Sequence, residues 1–316
     1  MARTAVIYSR HYLADLHGHV FPIQKYALVM ERLLRAGLVA AEEVIAPAPA
    51  TREDLLLVHT PAYLNDFFGL VMTHRTCRSE MALDQGIVAA FVRGTGGTIR
   101  AAREALARGA AVNIGGGLHH AYPDHAEGFC YLNDVAVALR CVQRDGAVRT
   151  ALVVDCDLHQ GNGTAAIFAR DPAVTTFSIH QENNYPLKER SDLDVGLPDR
   201  ADDALYLGEL GLALEALFAR GRYDLVLYLA GADPYQDDQL GGLSLTMDGL
   251  RRRDRLVLEG CRDRGIPVAV VLAGGYAHRL EDTVSIHVQT VEELLRLDPA
   301  RAADPGGGEA DLRPAP

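Results

Sequence analysis

Short apolar runs alternate with amphipathic stretches along almost the whole chain. The runs are continuously apolar and bounded by Gly, Asp or Pro, which is typical of strands that are buried on both faces. They predict strands at residues 5–8, 55–58, 110–114, 151–154, 174–179, 225–229 and 268–272. The stretches between them have helical periodicity and predict helices at residues 85–108, 133–144, 203–219, 250–264 and 280–297.

This regular alternation predicts an α/β fold. Strands that are joined by helices form a mainly parallel central sheet with helices on both faces, and no internal repeat interrupts the pattern. We therefore expect a single three-layer α/β/α domain over residues 1–298. Residues 299–316 hold Pro, Gly, Ala and charged side chains without periodicity, so a disordered C-terminal tail is predicted there.

The composition narrows the class of protein. With 48% hydrophobic residues, the 316-residue chain can form a large core. No apolar run reaches about 18 residues and no signal peptide is recognisable, so no membrane span is expected. The five cysteines lack a C-x-x-C pair and favour a reducing compartment, hence the cytoplasm. The net charge of −11 argues against nucleic-acid binding and is compatible with cationic substrates such as lysine side chains or polyamines.

Polar segments lie at the ends of five of the predicted strands. In open parallel sheets, ligands bind beyond the carboxyl ends of the strands. The five segments therefore should converge on one rim of the sheet and form the functional site. They are residues 115–120, 155–159, 178–180, 231–233 and 274–276.

Asp155, Asp157 and His159 are spaced by two at the end of an apolar strand, so their side chains should point the same way. Asp157 and His159 would suit a borderline-soft divalent cation, although a solvated loop beginning at Asp155 is the alternative. A third ligand decides between the two, and Asp233 after the strand at 225–229 is the best candidate. Such a set leaves coordination positions open, as a catalytic metal requires.

The tandem His119 and His120 follow three glycines that allow a sharp turn. Beside a metal, one imidazole could take a proton from water while the other stabilises charge. The alternative is that both are ordinary loop histidines without a catalytic role. Catalytic histidines need an orienting partner on the second ring nitrogen. Asp155 and Asn162 on the neighbouring loop could serve.

Tyr276 follows Gly274 and Gly275 after another predicted strand. Its phenol could donate a hydrogen bond to the oxyanion that forms when water attacks an amide carbonyl. A core tyrosine in a turn is the alternative. The glycine pair and the position at a strand end favour the functional interpretation.

Five separated motifs together resemble the histone deacetylase family, which has the arginase/deacetylase fold. They are G-G-G-L-H-H-A, G-F-C-Y-L-N-D, V-D-C-D-L-H-Q-G-N-G, A-G-A-D-P and A-G-G-Y. Their order and spacing match the family from Val6 to about Leu295. Residues 19–26, the H-Q-G-N-G run and residues 238–246 most resemble the class IV branch and its bacterial relatives.

The resemblance implies catalytic roles residue by residue. It implies three zinc ligands, Asp157, His159 and Asp233. It also implies that His120 is the general base and acid, and that His119, paired with Asp155, is the neighbouring electrostatic histidine. Tyr276 matches the tyrosine that polarises the scissile carbonyl. Asn162 stands where class I members carry Asp and agrees with class II and IV patterns, which suggests a less basic His120.

The same resemblance implies sites for the substrate and for a second ion. Gly128 and Phe129 match one wall of the acyl-lysine tunnel, and Tyr185 is the candidate for the opposite wall. Asp155 and Ser178 match ligands of a structural potassium ion. The acidic rim residue that holds the substrate backbone in class I enzymes has no clear match, and Asp84 is one candidate.

The implied activity is removal of an acetyl or longer fatty acyl group from the Nε of lysine, with Zn²⁺ or Fe²⁺ as the metal. The substrate would be an acyl-lysine protein or peptide, or an acylated small amine. Acetylpolyamine hydrolysis and a non-catalytic acyl-binding role remain open. An arginase-like pair of manganese ions is disfavoured, because Asp233 is followed by Pro-Tyr-Gln and not by a second aspartate.

Overall fold

The computed structural model describes residues 4–298, so the predicted tail at 299–316 lies outside the described residues. Within that range eight strands form one sheet. They are β1 (Ala5–Ile7), β2 (Val44–Ile45), β3 (Ala110–Asn113), β4 (Ala151–Asp155), β5 (Val174–Gln181), β6 (Leu193–Leu197), β7 (Leu225–Leu229) and β8 (Val268–Val271).

Residues 182–192 join β5 to β6 without a helix, and the other strands are connected by α-helices. They are α1 (Lys25–Arg35), α2 (Arg52–Leu55), α3 (Pro61–Phe68), α4 (Gln85–Arg108), α5 (Asp134–Arg144), α6 (Asn162–Phe168), α7 (Asp203–Ala219), α8 (Met247–Asp263) and α9 (Leu280–Arg296). One group packs α4 against α5, and another packs α8 against α7 and α9, with α1 beside α9. Among the described helices none is both long and apolar enough to cross a membrane.

The sheet confirms the predicted α/β architecture. Its strand order is β2-β1-β3-β8-β7-β4-β5-β6, and every neighbouring pair is parallel. The strands β4, β7 and β8 are buried along their whole length, as expected for a parallel sheet covered on both faces. The adjacent strands β3, β8, β7, β4 and β5 carry the five polar segments, which therefore lie side by side.

The predicted strand at residues 55–58 is wrong. Leu55 is the last residue of α2, and turns follow it. The local chemistry explains the helix: the Thr51 hydroxyl accepts from the Asp54 amide at 3.1 Å, and the Asp54 carboxylate accepts from the Thr51 amide at 3.0 Å. This capping box starts a helix where a short apolar run alone is ambiguous between helix and strand.

The sequence prediction also lacks the two edge strands. β2 has only two residues. β6 alternates partly buried and exposed positions up to Leu197, and Gly196 lies within it, so it lacks a continuous apolar run. Edge strands of this kind are short and half-solvated, and their sequences carry a weak signal. Both lie far from the centre of the sheet, where the polar segments meet.

Candidate metal centre and active site

Two neighbouring strands bring together the three predicted metal ligands. Asp157 and His159 follow β4, and Asp233 follows β7. All three are buried, and one potential ligand atom from each lies within 4.8 Å of the others. The Nδ1 atom of His159 is 3.3 Å from Asp157 Oδ1 and 3.3 Å from Asp233 Oδ2. The geometry is that of a compact site for one ion.

Backbone amides hold the two carboxylates in place. Leu158 donates to Asp233 Oδ1 at 2.9 Å, and His159 donates to Asp157 Oδ1 at 3.0 Å. Gly274, beyond β8, donates to Asp157 Oδ2 at 2.8 Å. A Cβ atom at position 274 would lie 2.1 Å from Asp233 Oδ2, so only glycine allows this approach of the backbone.

The donor set fits a divalent cation. Burial opposes a charge on His159, yet the hydrogen bonds and charges of Asp157 and Asp233 raise its pKa to about 10. The site therefore has a strongly negative potential that a bound cation would offset. Two carboxylate oxygens and one imidazole nitrogen are the ligand types that zinc accepts, and a borderline metal such as Fe²⁺ accepts them too.

The tandem histidines reach two different partners. His119 Nδ1 lies 2.7 Å from Asp155 Oδ2, whereas His120 Nδ1 lies 2.8 Å from Asn162 Oδ1. The Nε2 atoms of the two rings are 3.1 Å apart. Both orienting partners proposed from the sequence are therefore in hydrogen-bond contact with the two imidazoles.

The surroundings move the pKa values of the two imidazoles in opposite directions. Burial lowers the pKa of His120 well below its usual value, and the charges of His119 and His159 lower it further. Burial also opposes charge on His119, but Asp155 and Asp157 raise its pKa to about 9. Two neighbouring imidazoles whose pKa values are shifted apart are suited to different roles in proton transfer.

Tyr276 lies beside the metal ligands at the end of β8. Its backbone amide donates to Asp238 Oδ2 at 2.7 Å, and its ring centroid is 6.0 Å from that of Phe129. Burial raises the pKa of its phenol well above the usual value, and the charges of Asp157 and Asp233 act in the same direction. The hydroxyl therefore stays protonated and can donate a hydrogen bond.

Sequence reasoning missed Lys25, which is completely buried behind Tyr276. Its ammonium group donates to the Ala273 carbonyl at 2.7 Å and lies 5.8 Å from the centroid of the Tyr276 ring. Burial lowers its pKa to about 8, although the carboxylates of Asp233 and Asp157 oppose the shift. A lysine at the start of an amphipathic helix gave no sign of this position, because most lysines are solvated.

A cavity of about 180 Å³ opens above the histidines. Its lining includes His120, His159 and the three predicted substrate-binding residues, Gly128, Phe129 and Tyr185. Gly128 has a φ of 50°, and a Cβ atom there would lie 2.6 Å from His120 Cδ2. A separate cavity of about 230 Å³ lies where β3 and β8 begin, and its lining contains none of the predicted site residues.

The acidic residue at the cavity mouth is Glu80, which sequence reasoning did not identify. Asp84, the candidate from the sequence, instead caps α4 by accepting from the Ile87 amide at 2.8 Å. Its other oxygen lies 2.8 Å from His17 Nε2. Glu80 is in a left-handed turn after a short 3₁₀ helix, and neither helical nor strand periodicity points to such a residue.

The two predicted potassium ligands are neighbours in the sheet. Asp155, the last residue of β4, pairs with Ser178 of β5. Asp155 Oδ1 accepts from the Asp157 amide at 3.1 Å, and Ser178 Oγ lies 3.0 Å from His180 Nδ1. Asp155 thus contacts both His119 and the loop that carries Asp157.

Comparisons with known proteins identify the family of this chain. Residues 19–291 match the histone deacetylase domain. The chain is similar to an uncharacterized protein of Picosynechococcus sp., with 44% identity over 89% of this chain and 95% of the relative. It is also similar to histone deacetylase 2 of Arabidopsis thaliana, with 29% identity over 94% of this chain and 80% of that protein. A solved HDAC homolog complexed with SAHA superimposes with a TM-score of 0.84 at 24% identity, over 93% of this chain and 84% of that one. The chain therefore belongs to the histone deacetylase family and is a deacetylase-type hydrolase of bacterial type.

Proposed function

We propose that this protein is a zinc-dependent amide hydrolase that removes an acetyl or longer fatty acyl group from the Nε of lysine. The observation that carries the proposal is the buried Asp157–His159–Asp233 cluster, which lies beside a cavity lined by His120. A divalent ion held there supplies Lewis-acid activation of water and of the acyl carbonyl. Within residues 4–298 this is the single cluster of His, Cys, Asp and Glu side chains that could hold a metal ion, which favours one ion over an arginase-like pair.

The remaining chemistry is assigned to the two histidines and the tyrosine. His120 is neutral and lines the cavity, so its free ring nitrogen takes the proton from water and later delivers it to the leaving amine. His119, whose Nδ1 is held by Asp155, stabilises the charge that develops beside it. The Tyr276 hydroxyl donates to the oxyanion of the tetrahedral intermediate.

The substrate enters between Gly128 and Phe129 on one side and Tyr185 on the other. Glu80 at the mouth is placed to accept a backbone N–H of an acyl-lysine peptide. The same carboxylate would also suit the free ammonium of an acylated polyamine, so acetylpolyamine hydrolysis is the second candidate.

Three further assignments complete the proposal. Residues 1–298 form the catalytic domain. Asp155 and Ser178, adjacent across β4 and β5, contribute to a structural potassium site together with backbone carbonyls. The cytoplasm is the proposed compartment, because the five cysteines are free thiols, four of them buried, as a reducing environment maintains them.

Replacing Tyr276 with Phe tests the oxyanion role. Turnover on acyl-lysine peptides should fall by about 10²–10³-fold, the usual loss for one oxyanion donor. Zinc content, measured by elemental analysis, should stay at one ion per chain. Tyr223→Phe serves as the control, because that hydroxyl donates to the Leu217 carbonyl far from the cluster. Near-normal turnover of the Tyr276 variant with its metal retained would rule out the assignment.

Replacing Glu80 with Gln tests how the substrate is held. For a peptide substrate KM should rise several-fold with little change in kcat, since one charge-assisted hydrogen bond outside the reacting centre is weakened. Asp84→Asn is the matched control, because the Asp84 side chain already bonds His17 and the α4 amide. Steady-state kinetics on peptides, on an isolated acyl-lysine and on acetylpolyamines would separate the two substrate classes. An unchanged KM for all three would exclude Glu80 from substrate binding.

A further inference from the structure

Glu127 is a buried carboxylate next to the catalytic histidines that neither the motifs nor the proposed mechanism uses. Its side chain is only 11% exposed, and its Oε1 atom lies 3.0 Å from Asn162 Nδ2. Its other oxygen pairs with the guanidinium of Arg78 and lies 3.5 Å from His125 Nε2. The backbones of Glu127 and Cys130 close a tight turn that contains Gly128 and Phe129 of the cavity wall.

The contacts of Glu127 fix which way the Asn162 amide points. An ionised carboxylate can only accept hydrogen bonds, so the Asn162 atom that faces it must be the NH₂ group. Tyr122 agrees with this: its hydroxyl donates to Glu189 at 3.2 Å and so presents a lone pair to Asn162 Nδ2, also at 3.2 Å. The amide oxygen of Asn162 is therefore turned towards His120 Nδ1, 2.8 Å away.

The orientation of this amide determines the tautomer of His120. Because the amide oxygen accepts, Nδ1 of His120 must carry the hydrogen, and Nε2 is left with its lone pair on the cavity side. Turned the other way, the amide would present a donor to Nδ1 and place the hydrogen on Nε2, the nitrogen that must accept a proton.

We propose that Glu127 is a positioning residue that acts through Asn162 to keep His120 in the tautomer able to accept a proton at Nε2. His119 is in direct contact with a carboxylate, that of Asp155. His120 is in contact with the amide of Asn162, and Glu127 is the carboxylate that accepts from that amide. The inference rests on the proposed role of His120 as the base. The second carboxylate oxygen of Glu127 is paired with Arg78, whose side chain lies at the protein surface and is 52% exposed.

A double-mutant cycle with Asn162→Asp tests the proposal. Glu127→Met removes the acceptor, and kcat should fall about tenfold with metal content unchanged, the size expected for one lost hydrogen bond. Glu127→Gln keeps an acceptor for Asn162 and should recover part of the loss. In the Asn162→Asp background either oxygen of the new carboxylate can accept from His120 Nδ1, so the tautomer no longer depends on Glu127. The new negative charge also repels the carboxylate of Glu127. There Glu127→Met should leave kcat unchanged or raise it.

The second readout is the tautomer itself. In ¹⁵N-histidine-labelled, zinc-loaded protein, two-bond ¹H–¹⁵N spectra should place the hydrogen of His120 on Nδ1, and Glu127→Met should shift signal towards the Nε2-protonated form. Equal losses of kcat in both backgrounds, or a tautomer that Glu127→Met leaves unchanged, would overturn the proposal. The tautomer measurement needs no turnover. If the wild-type protein hydrolysed no acyl substrate, the proposed function would fail while the spectra would still test the role of Glu127.

Discussion

Replacing Asp233 with Asn is expected to empty the metal centre and to abolish turnover while leaving the fold intact. Affinity for zinc should fall by more than about 100-fold, because even the loss of a partner outside the ligand sphere costs 10–100-fold. Turnover should fall further than in Tyr276→Phe, since the metal, the water it activates and the carbonyl it polarises are lost together. Metal titration and activity on acyl-lysine peptides measure both effects.

The structure explains why Asp233→Asn should affect metal binding without disturbing the fold. Asp233 Oδ1 accepts from the Leu158 amide at 2.9 Å, while Oδ2 lies 3.3 Å from His159 Nδ1. The asparagine oxygen can keep the first contact, and its NH₂ group then occupies the place of the ligand oxygen. The variant also removes one of two close buried carboxylates, so the metal-free protein should be no less stable than the wild-type apoprotein.

Asp84→Asn is the matched control for Asp233→Asn. It makes the same chemical change at an exposed helix cap, where asparagine is as good a capping residue as aspartate. Metal affinity, turnover and melting temperature should all be unchanged. If Asp233→Asn bound zinc as tightly as this control, Asp233 would not be a ligand and the metal would have to lie elsewhere.

The fold and the meeting of the site residues could be predicted because both depend on local patterns and one general rule. The strands β4, β7 and β8 are buried along their whole length, so each contains a continuous apolar run that can be recognised in the sequence. In a parallel sheet the carboxyl ends of such strands share one edge, so their polar residues meet even when the strand order is unknown. Asp157 and Asp233, which are far apart in the sequence, could therefore be paired. Their roles stay predictions.

The strand order itself could not be predicted. It depends on how eight strands and their helices pack together, which no local pattern encodes. The wrong strand at 55–58 has a related cause, because a four-residue apolar run carries less information than the capping box formed by Thr51 and Asp54. Glu80 and Glu127 escaped notice because both lie in irregular loops, where a buried acid and a solvated one look alike in the sequence.

Two buried charged residues that the sequence analysis did not identify, Arg253 and Asp254, did leave a signal. The helix α8 buries Leu250, Val257 and Leu258, a helical spacing that also places Arg253 and Asp254 on the inner face. Read as a run of letters, R-R-R-D-R suggests a solvated surface. Read at helical period, it predicts that one arginine and one aspartate of the run are buried together, and the structure places both in the core.

Replacing Arg253 with Met should destabilise the protein by about 3–5 kcal/mol, the usual cost of removing one partner of a buried ion pair. The Arg253 side chain is completely buried, and it donates to Asp254 Oδ1 from two nitrogens, at 3.0 and 2.8 Å. It also donates to the carbonyls of Cys156 and Gly231, close in sequence to the ligands Asp157 and Asp233. Chemical denaturation measures the free energy of unfolding, and metal titration should show a weaker site as well.

Two comparisons separate the burial effect from a general effect of losing an arginine. Arg252→Met makes the same change one residue earlier in α8, where the side chain is exposed, and should alter the free energy of unfolding by less than about 0.5 kcal/mol. Adding Asp254→Asn to Arg253→Met removes the stranded charge, and the amide can still accept from Tyr228 or Thr290. The double variant should therefore be more stable than Arg253→Met alone, because most of the cost is an unpaired buried carboxylate. If Arg253→Met were as stable as Arg252→Met, the buried ion pair would contribute nothing, and the two ligand loops would be held by the sheet alone.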